Sequence, residues 1–309
     1  LTFGLWCWDT NILFEPSTEA GITCDMLLDI MIQNRINEVY LSMLSLMQTA
    51  SSIERLGEET GKFSEMKLRG FIKKCSKYGI KVYALEGTGG PAALSWMEPD
   101  NTQVLGFIRR IGQINANAQS DDEKVAGLHL DLEATLNDPA RKKEESDRRY
   151  QMSADFFHRT KMQCDDAGLV LQYDINGWTK DDQMIMIDNK PIQYMDYLTQ
   201  TVDNLTVMAY RNSAKGQWEE AMTAENSNEM QWSVKNNCNV LVGAETSPSS
   251  KMGTEATITY DYRGGARYMI EEFDKLRDLV LSYGAPRTGL AVHHADAFFR
   301  MLKKEKEYM

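Results

Sequence analysis

The sequence is poor in the features that would assign it to several large classes of protein. Only 4 of its 309 residues are histidine and 5 are cysteine. The cysteines (Cys7, Cys24, Cys75, Cys164 and Cys238) are odd in number and none sits in a Cys-x-x-Cys pair. Buried free thiols are expected rather than a disulfide framework or a zinc site. No apolar run reaches the length of a membrane span. Basic residues are outnumbered, 34 against 45 acidic, for a formal net charge of −11. That balance argues against nucleic acid or an anionic membrane as partner, because both reward clustered Lys and Arg. It suits an enzyme with a neutral or cationic ligand. The first strand-like segment runs into "WCWDTNILFEP" without a glycine, so the glycine-rich turn of a dinucleotide site is missing. No cofactor and no metal are expected. The chain opens at Leu1 on a strand-like segment, a start compatible with removal of a leader and export, and its location is left open.

What the sequence does have is a large apolar fraction, 42%, arranged in short runs. Eight of them read as strands: "FGLWCW" (3–8), "EVYLSM" (38–43), "KVYALEG" (81–87), "GLHLDLE" (127–133), "LVLQYDIN" (169–176), "LTVMAY" (205–210), "NVLVGAE" (239–245) and "GLAVHH" (289–294). Between them lie helix-length amphipathic stretches, clearest at 26–36, 64–79 and 266–284, with apolar residues at i, i+3, i+4 and i+7. Gly79 and Gly284 follow two of these where a helix C′ residue in the left-handed conformation is expected. Strand and helix in alternation imply parallel pairing with right-handed crossovers. Eight such units predict an α/β fold, a (β/α)8 TIM barrel, and with no low-complexity spacer the whole of 1–309 reads as a single domain.

The segment "LHLDLE" places His129, Asp131 and Glu133 at every second position with leucines between. In a parallel barrel alternate residues face inwards, so the leucines meet the helices and the three ionisable groups climb the interior towards the C-terminal mouth. Polar groups there are costly unless bonded to one another, and the mouth is where barrel enzymes do their chemistry. His129, lowest in the stack, is expected to brace the barrel. Glu133 is expected to act. The other strand ends agree. Glu245 ends strand seven and Glu86 ends strand three, while Gln172, Asp174 and Asn176 share a face of strand five. Tyr210 ends strand six with Arg211 next, Trp6 and Trp8 alternate on strand one, Trp178 follows strand five, and His293 or His294 ends strand eight. Indole faces stack on sugar rings and carboxylates bond hydroxyls. The same groups can cleave an acetal, given one carboxyl kept protonated by its neighbours, with Asp131 placed to do this for Glu133. A carbohydrate is therefore the expected substrate.

The "GLHLDLE" segment resembles the "DxxDxDxE" signature of the chitinase-type (family eighteen) glycoside hydrolases, and "MAY" on strand six resembles their "MxY". The resemblance implies a barrel glycosidase acting on an oligo- or polysaccharide, with N-acetylated sugars among its substrates. It implies Glu133 as general acid, Asp131 as the group that positions an acetamido substituent, and Tyr210 as a further contact to the reacting sugar. The signature departs at its front: its first Asp falls at Val125 or Ala126, and its middle Asp matches His129. The larger pattern of WxW, HLDLE, MAYR, GAETSP and VHH also resembles a group of uncharacterised bacterial barrel proteins grouped with the glycoside hydrolases. Glu245 opens a second route, because many retaining glycosidases pair an acid/base Glu on strand four with a nucleophilic Glu on strand seven.

Two other readings compete. His129, Asp131, Glu133, Glu245 and His293 could form a mixed site for a metal-dependent hydrolase or isomerase. Alternatively, the barrel could bind a glycan without cleaving it.

Overall fold

The computed structural model describes residues 2–9, 12–43, 58–134, 136, 142–176, 183–222, 229–248, 259–260, 265–283 and 288–308. Trp178 and Gly284 lie outside the described residues. Among the described residues there are ten strands: β1 (Thr2–Cys7), β2 (Glu38–Ser42), β3 (Lys81–Gly89), β4 (Gly127–Glu133), β5 (Val170–Asn176), β6 (Met184–Ile187), β7 (Lys190–Gln193), β8 (Asn204–Met208), β9 (Asn239–Glu245) and β10 (Thr288–His293). Eight of them close into a parallel barrel in the order β1-β10-β9-β8-β5-β4-β3-β2, with helices between successive strands. This is the (β/α)8 fold expected from the strand–helix alternation. The sixth barrel strand is shorter than its apolar run. It ends at Met208, where the Ala209 N–H turns back to the Val207 carbonyl at 2.8 Å and takes Tyr210 out of the ladder.

Helices form where the periodicity placed them, with boundaries set by local chemistry. The first runs Cys24–Gln33 because Thr23 in extended geometry accepts the Met26 N–H at 3.2 Å, which caps the helix two residues before its apolar stripe begins. The second ends at Ser76, and Gly79 takes a φ of 71°, the left-handed turn that only glycine adopts at little cost. An antiparallel hairpin, β6–β7, stands between β5 and β8 outside the alternation. Asp188 and Asn189 form its turn with φ of 50° and 62°, the pair of positive values that a two-residue hairpin needs. The "IDNK" tetrapeptide is the signal for it.

The register sorts the strand residues into two faces. Leu128, Leu130 and Leu132 are almost wholly buried and pack into the main core with the helices, each burial contributing about 1.5–3 kcal/mol. The opposite face of the same strand carries His129, Asp131 and Glu133 into the barrel. There a second cluster of Trp6, Tyr40, Tyr83, Leu85, Leu241 and Ala291 fills the interior. Tyr40 fits only because residue 4 is glycine: a methyl group there would lie 2.2 Å from the tyrosine oxygen. Among the described residues no helix is long and apolar enough to cross a membrane.

Candidate active site at the barrel mouth

The site is built on a polar floor. Glu38, the first residue of β2, is buried and accepts hydrogen bonds from Tyr83 (3.2 Å), Tyr40 (3.4 Å) and the Gln172 amide (3.1 Å). Burial pushes its carboxyl above the ordinary value, against the pull of these donors. With the Gln172 nitrogen committed to Glu38, its oxygen faces His129 Nδ1 at 2.7 Å, and His129 Nε2 meets Asp174 Oδ2 at 2.7 Å. Both ring nitrogens thus face acceptors, and the imidazole carries two protons. Burial works against that charge, but the Asp174 carboxylate and the two hydrogen bonds outweigh it and raise the His129 pKa. The ring also stacks on Tyr40, centroids 3.7 Å apart and planes at 16°. Asp174 Oδ2 takes a further hydrogen bond from the Trp6 indole at 2.9 Å.

Above this floor the carboxylates of the mouth differ in their surroundings. Asp131 is the next inward residue of β4 after His129, and Asp174 the next of β5 after Gln172, the partner of His129 in the ladder. Both are more than nine-tenths buried, and among the described residues Oδ1 of each has no hydrogen-bond partner. Burial, then the charges of Asp174 and Glu133, drive the Asp131 pKa well above its usual range. Glu133 ends β4 and is exposed at the mouth. Burial of its carboxyl raises its pKa, His293 opposes this and Asp174 adds to it. Asp131 and Glu133 bear on each other as successive inward carboxyls of β4, and Asp174, across on β5, adds to both.

Glu245 is the opposite case. It ends β9 fully buried, yet its Oε1 accepts the backbone N–H groups of Thr246 (2.8 Å) and Ser247 (2.6 Å), and Oε2 faces His293 Nδ1 at 2.8 Å. Burial alone would raise its pKa. The hydrogen bond from His293 and those from Ser247 overcome burial and hold the carboxyl below its ordinary value. The His293 tautomer follows from Trp8, whose indole N–H points at Nε2 across 2.9 Å. An indole nitrogen only donates, so Nε2 presents its lone pair and the proton sits on Nδ1, aimed at Glu245. The pair Trp8–His293 thus fixes Glu245 from the side.

The other expected residues divide. Tyr210 stands at the mouth 5.9 Å from the His293 ring, and burial followed by the charges of Glu245, Asp131, Asp174 and Glu133 raises its hydroxyl pKa. Residue 243 beside it is glycine, where a methyl would crowd the tyrosine ring at 3.3 Å and the Val207 carbonyl at 3.1 Å. Trp8 is half-buried beside Gly87, whose replacement by any side chain would press on Trp8 at 2.8 Å and on the Asp131 carbonyl at 2.7 Å. Asn176 continues the inward face of β5 at its end. Arg211 gives Nη1 to the Tyr210 carbonyl at 2.8 Å and lays its stem against Gly216. His294, the neighbour of His293, has its pKa lowered to about 4 by burial first and by His293 second. Two expectations are corrected by parity and burial. Trp6 is 1% exposed, so it cannot offer its face to a sugar, and it belongs to the floor. Glu86 pairs with Leu130 in the ladder, on the helix-facing side, while Leu85 and Gly87 take the inward places beside His129 and Asp131. Glu38 and Gly87 went unmarked in the sequence. A charged residue opening an apolar strand two places before Tyr40 was the available sign for Glu38. Among the described residues no group of three His, Cys, Asp or Glu side chains is placed to hold a metal ion.

No family model matches the chain. No curated protein matches it. Among solved structures it is similar to a class V chitinase from Pseudomonas fluorescens Pf-5, at 12% identity over 98% of each chain with a TM-score of 0.51. It is also similar to the C-terminal domain of a protein provisionally called a chitinase from Desulfitobacterium hafniense DCB-2, at 9% identity over 97% of each chain with a TM-score of 0.53. A D-psicose 3-epimerase from Clostridium cellulolyticum H10 matches at 9% identity over 95% of this chain and 85% of that one, with a TM-score of 0.47. At these identities the likeness is one of fold. The resemblance to chitinase-type glycoside hydrolases seen in the strand-four motif therefore extends to the architecture.

Proposed function

We propose that the chain is a glycosidase that cleaves an O-glycosidic bond in an oligo- or polysaccharide, the whole of 1–309 acting as one catalytic unit. The observation that carries this reading is the opposite treatment of two carboxyls on the inward face of one barrel. Glu133 is pushed towards the protonated form and exposed at the mouth, which suits a general acid. Glu245 is held as a carboxylate by two backbone N–H groups and His293, which suits a nucleophile or a group that stabilises positive charge on the sugar. Tyr210 and Trp8 flank the reacting position, Asp131 and Asp174 line its inner wall, and His129 and Trp6 hold Asp174 from below. Glu133→Gln keeps size and hydrogen bonding but cannot supply the proton, so hydrolysis should fall by a factor of about 10² or more. An unchanged rate of reducing-end release by that variant would remove Glu133 from the chemistry.

A further inference from the structure

The Trp8 indole is seated at both ends. Its Nε1–H reaches Nε2 of His293 on β10 at 2.9 Å. Its far edge lies over Gly87 on β3, where a methyl group would come within 2.8 Å of Cη2. The rings of Trp8 and His293 meet edge to face, centroids 6.3 Å apart at 69°. Groups from the neighbouring strands surround the imidazole. Glu245 at the end of β9 faces Nδ1 at 2.8 Å, and the Tyr210 ring beyond β8 lies 5.9 Å away. Trp6 on β1 meets it at 5.6 Å and His294, the next residue, at 5.1 Å. Glu133, across the barrel on β4, responds to charge on this ring. A carboxylate against Nδ1 by itself favours an imidazolium, because a charged donor makes the stronger bond. The second proton can go only to Nε2, the nitrogen that receives the indole N–H. Taking it up would forfeit the Trp8 hydrogen bond and set two N–H groups against each other. Positive charge on His293 would also draw Glu133 towards its ionised form, against the effect of burial. A ring that donates to Glu245 while uncharged serves both glutamates, leaving one its donor and the other its proton.

We propose, resting on the reading of Glu133 as general acid, that Trp8 is a positioning residue for that acid: its indole N–H occupies His293 Nε2, keeps a second proton off the ring and so leaves Glu133 its own. Trp8 then acts on Glu133 through His293, from the opposite side of the mouth. The competing account is that Trp8 is only a face for the sugar to stack on, in which case its N–H is incidental and another aromatic ring serves as well.

Nitrogen-15 NMR of the histidine side chains of the full chain tests this without a ligand, the His293 signals being assigned by their loss in His293→Gln. At pH 6 the unsubstituted protein should show Nδ1 protonated and Nε2 bare. In Trp8→Phe, which keeps an aromatic ring and removes the N–H, Nε2 should carry a proton at the same pH. Carbon-13 titration should then find the Glu133 midpoint lower by about half a unit or more in Trp8→Phe, a roughly threefold loss of protonated acid above the midpoint. Glu245, still paired with His293, should not rise. The amide in His293→Gln can donate to Glu245 but takes no charge, so adding Trp8→Phe to it should leave Glu133 in place. A protonated Nε2 in the unsubstituted protein overturns the proposal. So does a Glu133 midpoint that Trp8→Phe leaves unmoved, or moves equally without His293. The spectrum of the unsubstituted protein decides even if Trp8→Phe does not fold. Reducing-end release from N-acetylglucosamine tetramer and cellotetraose separates the two claims. The predicted NMR shifts without cleavage of either keep the coupling of Trp8 to Glu133 and remove the hydrolase. Cleavage with an unmoved Glu133 midpoint keeps the hydrolase and leaves Trp8 a stacking face only.

Discussion

His293 donates its Nδ1 proton to Glu245 across 2.8 Å, and Trp8 holds the other side of the ring at 2.9 Å. Removing the imidazole leaves Glu245 with the Thr246 and Ser247 donors alone, so its pKa climbs. A carboxyl whose native pKa is depressed contributes stability that is present above the ordinary value and lost as pH falls through the lowered one. In His293→Ala that loss begins at higher pH. The acid limb of the kcat/KM profile should move to higher pH, and activity at pH 5 should fall on the order of tenfold relative to the parent. A pH–rate profile measured on both proteins checks this, and an acid limb that stays in place contradicts it.

Glu86 sits on the helix-facing side of β3, where burial raises its pKa to about 7 against a hydrogen bond from the Gly87 N–H at 3.2 Å. Its native pKa lies above the unfolded value, so the folded protein retains the proton between the two. The stability it contributes is full below the ordinary carboxyl range and lost as pH rises through about 7. Glu86→Gln keeps an acceptor for the Gly87 N–H without the buried charge. It should stabilise the fold at pH 8 by about 1–2 kcal/mol, with little change at pH 4 and with unaltered turnover. Thermal melts at the two pH values read this out. A lower melting temperature at pH 8, or loss of activity, would place Glu86 in the site after all.

Trp6 is buried, gives its N–H to Asp174 and meets Tyr40, His129 and His293 edge to face at 5.3 to 5.7 Å. Trp6→Phe keeps much of the volume and leaves Asp174 short of a donor. Stability should drop by about 1–3 kcal/mol, while affinity for a bound oligosaccharide changes little. Denaturant unfolding and titration calorimetry on the same preparation separate the two effects. A large loss of affinity with normal stability would return Trp6 to the sugar-facing surface.

These outcomes bear on what a sequence of this kind discloses. Periodicity was enough for the barrel, because eight buried strands and their helices are dictated by where apolar side chains must go. It was also enough for the stack on β4, since leucines at every second place leave the ionisable residues no other face. It was not enough where the direction of a strand end depended on pairing. "VHH" offers two histidines, and only the register of His293 opposite Glu245 decides between them. "ALE" suggests a carboxyl at a strand terminus, but β3 runs on to Gly89, and parity through the longer strand turns Glu86 outwards. The floor was hidden for a different reason. Glu38 and Tyr40 share β2, but Tyr83 and Gln172 come from distant segments, and their hydrogen bonds to Glu38 exist only once the ring has closed.

The central claim is that Glu133 and Glu245, two glutamates at the ends of β4 and β9, are tuned in opposite directions. Carbon-13 NMR titration of the glutamate side-chain carboxyls measures this directly, with the two signals assigned by their disappearance in Glu133→Gln and Glu245→Gln. The account predicts that Glu133 titrates above the ordinary glutamate value and Glu245 below it. Midpoints that coincide, or that fall in the reverse order, would contradict it.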